Sequence, residues 1–159
     1  MTTAEKLTQL FKDNFVAYYR SHLAHVNIVG RNFVSDHELL KGIYESLQEQ
    51  IDFLGELLRT LGEMMPCDIS ELVDTAQIDT GELKGSSDFL LTMIRDDLQF
   101  LLEEYQQLAE ISDEEDLSEI ENYAQERILA LRKQLWMIDS TLGLSSPGRY
   151  EESEDFGTF

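Results

Sequence analysis

The chain has 159 residues, 42% of them hydrophobic, enough for one domain with a sizeable core and short of two comfortable ones. Twelve Lys and Arg stand against thirty-two Asp and Glu, a formal charge of −20 whose field repels phosphate and attracts cations, so nonspecific DNA binding is disfavoured. A lone cysteine, Cys67, excludes an intrachain disulfide and a Cys-based zinc site and fits a reducing compartment.

The first residues carry neither a basic n-region nor an unbroken apolar stretch, and nowhere do apolar residues run long enough for a membrane span. The expectation is a soluble, cytoplasmic protein. Only Pro66 and Pro147 interrupt a composition rich in Leu, Glu, Gln and Asp, which makes all-α the expected class.

From Ala4 to about Ile28, Leu7, Phe11, Phe15, Tyr18, His22, His25 and Val29 recur at steps of three or four, one face of an amphipathic helix. Gly30 is the expected stop, and Ser35 or Asp36 the expected cap of the next helix. That second helix reads Leu40, Ile43 or Tyr44, Leu47, Ile51, Leu54, Leu58 and Leu61, ending at Gly62 with Pro66 barring continuation. Gly42 and Gly55 inside it each cost up to about 1 kcal/mol relative to Ala, so a close approach to the backbone is one reading of them and neutral drift the other.

Residues 63–87 hold only a weak apolar patch, Ile69, Leu72, Val73 and Ile78, and read as a long crossover with a short helix near 70–77. Such a connection lets the helices on either side of it lie parallel, the arrangement of ferritin-like bundles. A third long helix is expected from Ser87 or Asp88, with Leu91, Ile94, Leu98, Leu101, Tyr105 and Leu108 inward, ending before the acidic break at 112–116. The fourth follows Leu117, with Ser118 as expected cap and Glu121 at capping-box spacing, and a stripe of Ile120, Tyr123 or Ala124, Ile128, Leu131, Leu135, Ile138 and Leu142. The expected organisation is thus a four-helix bundle over 1–142 and an acidic tail over 143–159, too polar to order by its own burial.

His25, His37, Asp52 and Glu56 stand out chemically. Imidazole and carboxylate together suit iron, manganese or zinc, and mixed N and O ligands with open positions favour redox-active iron. The fifteen steps from His37 to Asp52 span roughly 22 Å of helix at about 1.5 Å per residue, so one chain cannot close them into a single site. A second copy, antiparallel across a two-fold axis, could bring one chain's histidines against the other's carboxylates. His22, on the apolar stripe without such companions, reads as an ordinary core histidine.

The sequence His25-Val26-Asn27-x-x-Gly30-x-x-Phe33-x-x-x-His37-Glu38, followed by Asp52-x-x-Gly55-Glu56, Leu61-Gly62 and Leu135-Trp136-Met137, resembles the Dps family over residues 5–142. These miniature ferritins assemble as hollow dodecamers and oxidise ferrous iron. The resemblance implies a ferroxidase centre at each dimer interface, with His25 and His37 of one subunit facing Asp52 and Glu56 of its mate. Glu56 would bridge two iron positions, Asp52 and His25 would complete the stronger one, and His37 would serve the weaker. Iron is thus the implied metal, peroxide the implied oxidant, and a homo-oligomeric shell the implied assembly.

Three departures from the family pattern matter. The acidic residue usual four places after the second histidine is Lys41 here, and an ammonium donates three hydrogen bonds, accepts none and repels a cation. The Trp after the first histidine is Val26, and the family's Ala-Glu-Arg element reads Gly55-Glu56-Leu57. The Lys-rich N-terminal arm that many members use on DNA is absent, which with the net charge argues against DNA coating. A shell that keeps the fold but loses ferroxidase chemistry through Lys41 is the rival reading. An ordinary ferritin or bacterioferritin centre would need Glu-x-x-His pairs on two helices, and all three histidines lie before residue 38.

Overall fold

The computed structural model describes residues 1–144. Five helices follow in chain order: α1 (Thr3–Asn27), α2 (Phe33–Thr60), α3 (Ile69–Asp74), α4 (Ser87–Glu114) and α5 (Ser118–Thr141). The four long ones form the bundle, with α1 packed against both α2 and α4, and α5 packed against α4.

Two polar contacts fix the topology. The first residue of α4 meets the first turn of α2, where Ser87 Oγ donates to Asp36 Oδ2 at 3.2 Å, so the two helices start at the same end and run parallel. The backbone N–H of Thr3, opening α1, donates to the Glu115 carboxylate beyond the end of α4, so those two helices run opposite ways. The crossover between α2 and α4 lies along α1 and is pinned there by Asp13. This carboxylate is fully buried and accepts the backbone N–H groups of Gln77 at 2.5 Å and Ile78 at 3.2 Å. Leu72, Ile78 and Leu83 of the crossover are buried beneath it.

The core draws on Leu7, Leu10 and Phe11 of α1, Leu40, Leu47, Leu54 and Leu58 of α2, Leu91, Leu98 and Tyr105 of α4, and Leu131 and Ile138 of α5. On α1 the buried face is rotated from the expected stripe: Leu10, Val16, Ala17 and Ala24 are inside, Phe15, Tyr18 and His22 are half-buried, and Val29 is exposed. The reason is polar. Lys6, Asp13, Asn14, Arg20 and Ser21 are also buried, and hydrophobic periodicity is blind to them. Lys6 Nζ pairs with Glu104 at 2.5 Å and Arg20 Nε with Asp97 at 2.6 Å, which is how two charges on each helix reach the interior.

Several helix ends differ from expectation. α2 begins at Phe33 with Asn32 in the cap position, earlier than Ser35 or Asp36; Ser35 Oγ instead donates to the Asn32 carbonyl, and Asp36 is buried against Ser87. At the other end Glu63 N–H bonds the Leu58 carbonyl and Gly62 N–H that of Arg59, a Schellman closure that needs the positive φ of +84° at Gly62. α4 runs on through the acidic stretch to Glu114, with Ser112 buried and its Oγ bonded back to the Leu108 carbonyl, and the closure falls on Asp116, at φ +59°. Ser118 is the first residue of α5 and not its cap; Leu117 holds the cap position without a side-chain bond. The capping box is at Thr2 and Glu5. Apart from Gly143 and Leu144, the expected acidic tail lies outside the described residues.

Candidate metal centre

His25 sits in the last turn of α1 and His37 in the second turn of α2, facing each other across the short connection at 28–32. A helix end leaves carbonyls without an intrahelical partner, and that of His25 is one of them. His37 Nδ1 donates to the His25 carbonyl at 2.7 Å, and His25 Nδ1 donates to the His37 carbonyl, also at 2.7 Å. A carbonyl only accepts, so each Nδ1 carries a proton and Nε2 is the ring nitrogen left to meet a metal. This is the hydrogen bond by which metal-ligating histidines are held in tautomer and orientation.

The two imidazoles stack with centroids 3.6 Å apart and planes 17° from parallel. Phe33 stacks on the outer side of His37 at 4.9 Å, and Tyr44 meets His25 edge-on at 5.0 Å while lying face to face with His22 at 4.0 Å. His25 is only 7% exposed and His37 half-buried, so the pair is gripped by rings on both sides. His22 belongs to that packing, with the Tyr18 hydroxyl 3.4 Å from its Nδ1, as an ordinary core histidine would.

Asp52 and Glu56 are exposed on α2, one turn apart. At 100° per residue, His37, Lys41, Asp52 and Glu56 fall within an arc of roughly 100° on one face of the helix. Neither carboxylate, nor the exposed Lys41 ammonium, makes a hydrogen bond or ion pair among the described residues, in contrast to the buried Lys6 and Arg20. No three His, Cys, Asp or Glu side chains come together as a metal-holding group within the described residues of one protomer. The structure therefore brings His25 and His37 together and leaves Asp52 and Glu56 roughly 22 Å or more along the helix, as the rise per residue requires.

Sequence reasoning missed the reciprocal imidazole–carbonyl bonds and the ring of Tyr44 against His25. A signal existed for the first, since a histidine in the final turn of a helix is placed to meet unpaired carbonyls. The backbone at Gly55 is approached closely by the Met65 thioether, whose sulfur would lie 2.9 Å from an added Cβ, whereas Gly42 has open space. Val26 and Trp136 are both largely exposed, at 63% and 61%.

The model of the ferritin-like domain family matches residues 4–146. A "DNA protection during starvation protein" of Helicobacter pylori strain J99 is 28% identical over 144 residues, covering 89% of this chain and 99% of that protein. The structure of Dps from Listeria monocytogenes superposes with a TM-score of 0.86 at 25% identity, over 90% of this chain and 94% of that one. The chain belongs to the Dps family of miniferritins.

A further neighbour, Dps from Vibrio cholerae O1, is described as a member of a broad superfamily of ferritin-like diiron-carboxylate proteins, and matches with a TM-score of 0.83 at 25% identity over 88% of each chain. The donor set of this miniferritin fits such a metal as far as one protomer supplies it: two imidazoles whose Nε2 atoms make no hydrogen bond among the described residues, and two carboxylates, unpaired among those residues, further along the helix of His37. No helix among the described residues is long and apolar enough to cross a membrane.

Proposed function

We propose that this miniferritin binds ferrous iron at sites completed between two protomers, oxidises it with peroxide, and stores the ferric product inside a closed homo-oligomeric shell, a dodecamer as in its family. The observation that carries this reading is the reciprocal bonding of His25 and His37, which presents two imidazoles of fixed orientation at the bundle end without any ligand of their own. Asp52 and Glu56 of the partner subunit supply the oxygen donors. Iron is the substrate here, attracted by the −20 charge of the chain.

Two ferrous ions each give up one electron, the O–O bond of hydrogen peroxide breaks, and with two protons its oxygens leave as two waters. Carboxylates stabilise Fe(III) more than Fe(II), which favours the oxidation. Splitting the peroxide by two electrons avoids the hydroxyl radical that a single ferrous ion would produce in solution. The net charge opposes any electrostatic contact with DNA, so protection acts through iron and not through coating.

Lys41 supports a second reading, a shell that holds metal passively. Stopped-flow absorbance of ferric formation separates the two. The wild-type chain should oxidise added Fe(II) with peroxide well above the buffer rate, and His25→Ala and Glu56→Gln should each lower the rate about 10–100-fold. Oxidation at the buffer rate by wild type would leave only the passive shell.

A further inference from the structure

The position of Lys41 carries a consequence for how many ions a site can hold, given the intersubunit metal site proposed above. Along α2, His37 and Glu56 stand equally far to either side of the midpoint between Ser46 and Leu47, and so do Lys41 and Asp52. One two-fold axis at that midpoint, with the helices antiparallel, therefore sets His37 opposite Glu56 of the partner subunit and, in the same register, Lys41 opposite Asp52 of the partner subunit. All four residues lie on the same arc of the helix, so nothing has to be unwound for both pairings to form.

Lys41 is free to take that role. It is exposed, it has no carboxylate or hydrogen-bond partner among the described residues, and Glu38 one turn earlier does not engage it. The cations that tie helices of the bundle together by ion pairs, Lys6, Arg20 and Arg95, are already satisfied by Glu104, Asp97 and Asp139. An ammonium on a four-carbon stem is a compact point charge, which suits it to stand where a hydrated cation would.

We propose that Lys41 is the built-in second cation of the interface site, so that each site binds a single divalent ion on His25 with Asp52 and Glu56 of the partner subunit. The charge balance agrees. Two carboxylates and one ammonium leave one net negative charge, which one divalent ion turns into one positive; an acid at position 41 would give three negative charges and bring two divalent ions to the same residual. His37 then acts as a positioning residue, its carbonyl holding His25 Nδ1 and its ring stacked on that of His25. Because peroxide takes two electrons and the site holds one ferrous ion, the O–O bond breaks only once a second ferrous ion from solution supplies the other electron, giving two Fe(III) and, with two protons, two waters, so the rate depends on free Fe(II).

Two consequences can be measured without turnover. Anaerobic equilibrium dialysis with Co(II), counting the ions lost on replacing both His25 and His37 by Ala, should give one per protomer for the wild type and two for Lys41→Asp. In the metal-free state, Lys41→Met removes the pairing with Asp52 of the partner subunit and should raise the concentration at which dimers fall apart about tenfold, the equivalent of 1.4 kcal/mol. Two Co(II) per protomer in the wild type, or a single ion in Lys41→Asp, would overturn the role of Lys41 while leaving the metal site standing. An unchanged dissociation midpoint in Lys41→Met would likewise overturn the ion-pairing. No histidine-dependent Co(II) in either protein would overturn the metal site itself.

Discussion

Arg20 of α1 and Asp97 of α4 pair at 2.6 Å with side chains only 7% and 10% exposed, yet the pair does not hold the carboxylate at its ordinary acidity. Burial outweighs the Arg20 hydrogen bond and charge, and pushes Asp97 up to about 6. The folded value lies above the unfolded one, so the folded chain binds more protons between the two. The cost of ionising Asp97 is fully present above about pH 6 and is relieved as the pH falls towards the unfolded value. Asp13, raised by burial despite its bonds to Gln77, Gln9 and Ile78, works in the same direction. Urea unfolding should therefore show this miniferritin about 1 kcal/mol more stable near pH 5 than near pH 7 through Asp97 alone. Replacing Arg20 and Asp97 together by Met and Leu should flatten that dependence, whereas Arg20→Met alone should cost about 3–5 kcal/mol at neutral pH by stranding the buried carboxylate. A pH profile identical in the double variant and the wild type would refute the assignment.

Asp13 ties the crossover to α1 with no cation in the bargain. Its side chain satisfies two backbone donors at 77 and 78, and in Asp13→Ala both would lose their partner, that of Ile78 buried and that of Gln77 partly so. A loss of about 2–4 kcal/mol in global stability is expected, together with amide exchange at Gln77 and Ile78 much faster than at Leu98, which sits in the core of α4. Exchange accelerated equally at all three sites, or unaltered at 77 and 78, would show that the crossover is held by Leu72, Ile78 and Leu83 instead.

How far the sequence could be read follows from what each feature depends on. Helices whose apolar residues recur without polar intrusion, α2 above all, were legible in their buried face, since Leu40, Leu47, Leu54 and Leu58 all lie at the core, and in their C-terminal end to within a residue or two, while the cap of α2 came three to four residues earlier than expected. On α1 the pattern pointed at a face slightly off the buried one. Lys6, Asp13, Asn14 and Arg20 look like solvent residues until their partners on α2, α4 and the crossover are known, and those partners lie 33 to 98 positions away. Caps at Ser35, Asp36 and Ser118 were plausible by residue type, but the chain entered each helix earlier, and Asp36 found Ser87 across the bundle. At the candidate site, the identity of the four donors was legible from type and spacing. The orientation of the imidazoles was not, because it arises from carbonyls that only the fold brings within 2.7 Å.

The division of the site between two protomers gives the most direct prediction, because it can be tested by mixing. A chain with His25→Ala and His37→Ala keeps both carboxylates, and a chain with Asp52→Asn and Glu56→Gln keeps both histidines. Neither should bind Co(II) or accelerate iron oxidation alone. When the two are unfolded together and refolded as a mixture, half the dimers should be mixed, and each mixed dimer carries one site built from intact histidines and intact carboxylates and one site lacking all four. Activity per protomer should return to about a quarter of the wild-type value. A site contained within one chain can regain nothing by mixing, since every chain in the mixture lacks half its donors. Near-zero recovery, with mixed oligomers confirmed by native mass spectrometry, would therefore reject the shared site, whereas recovery close to a quarter would locate His25 of one protomer against Asp52 and Glu56 of the next.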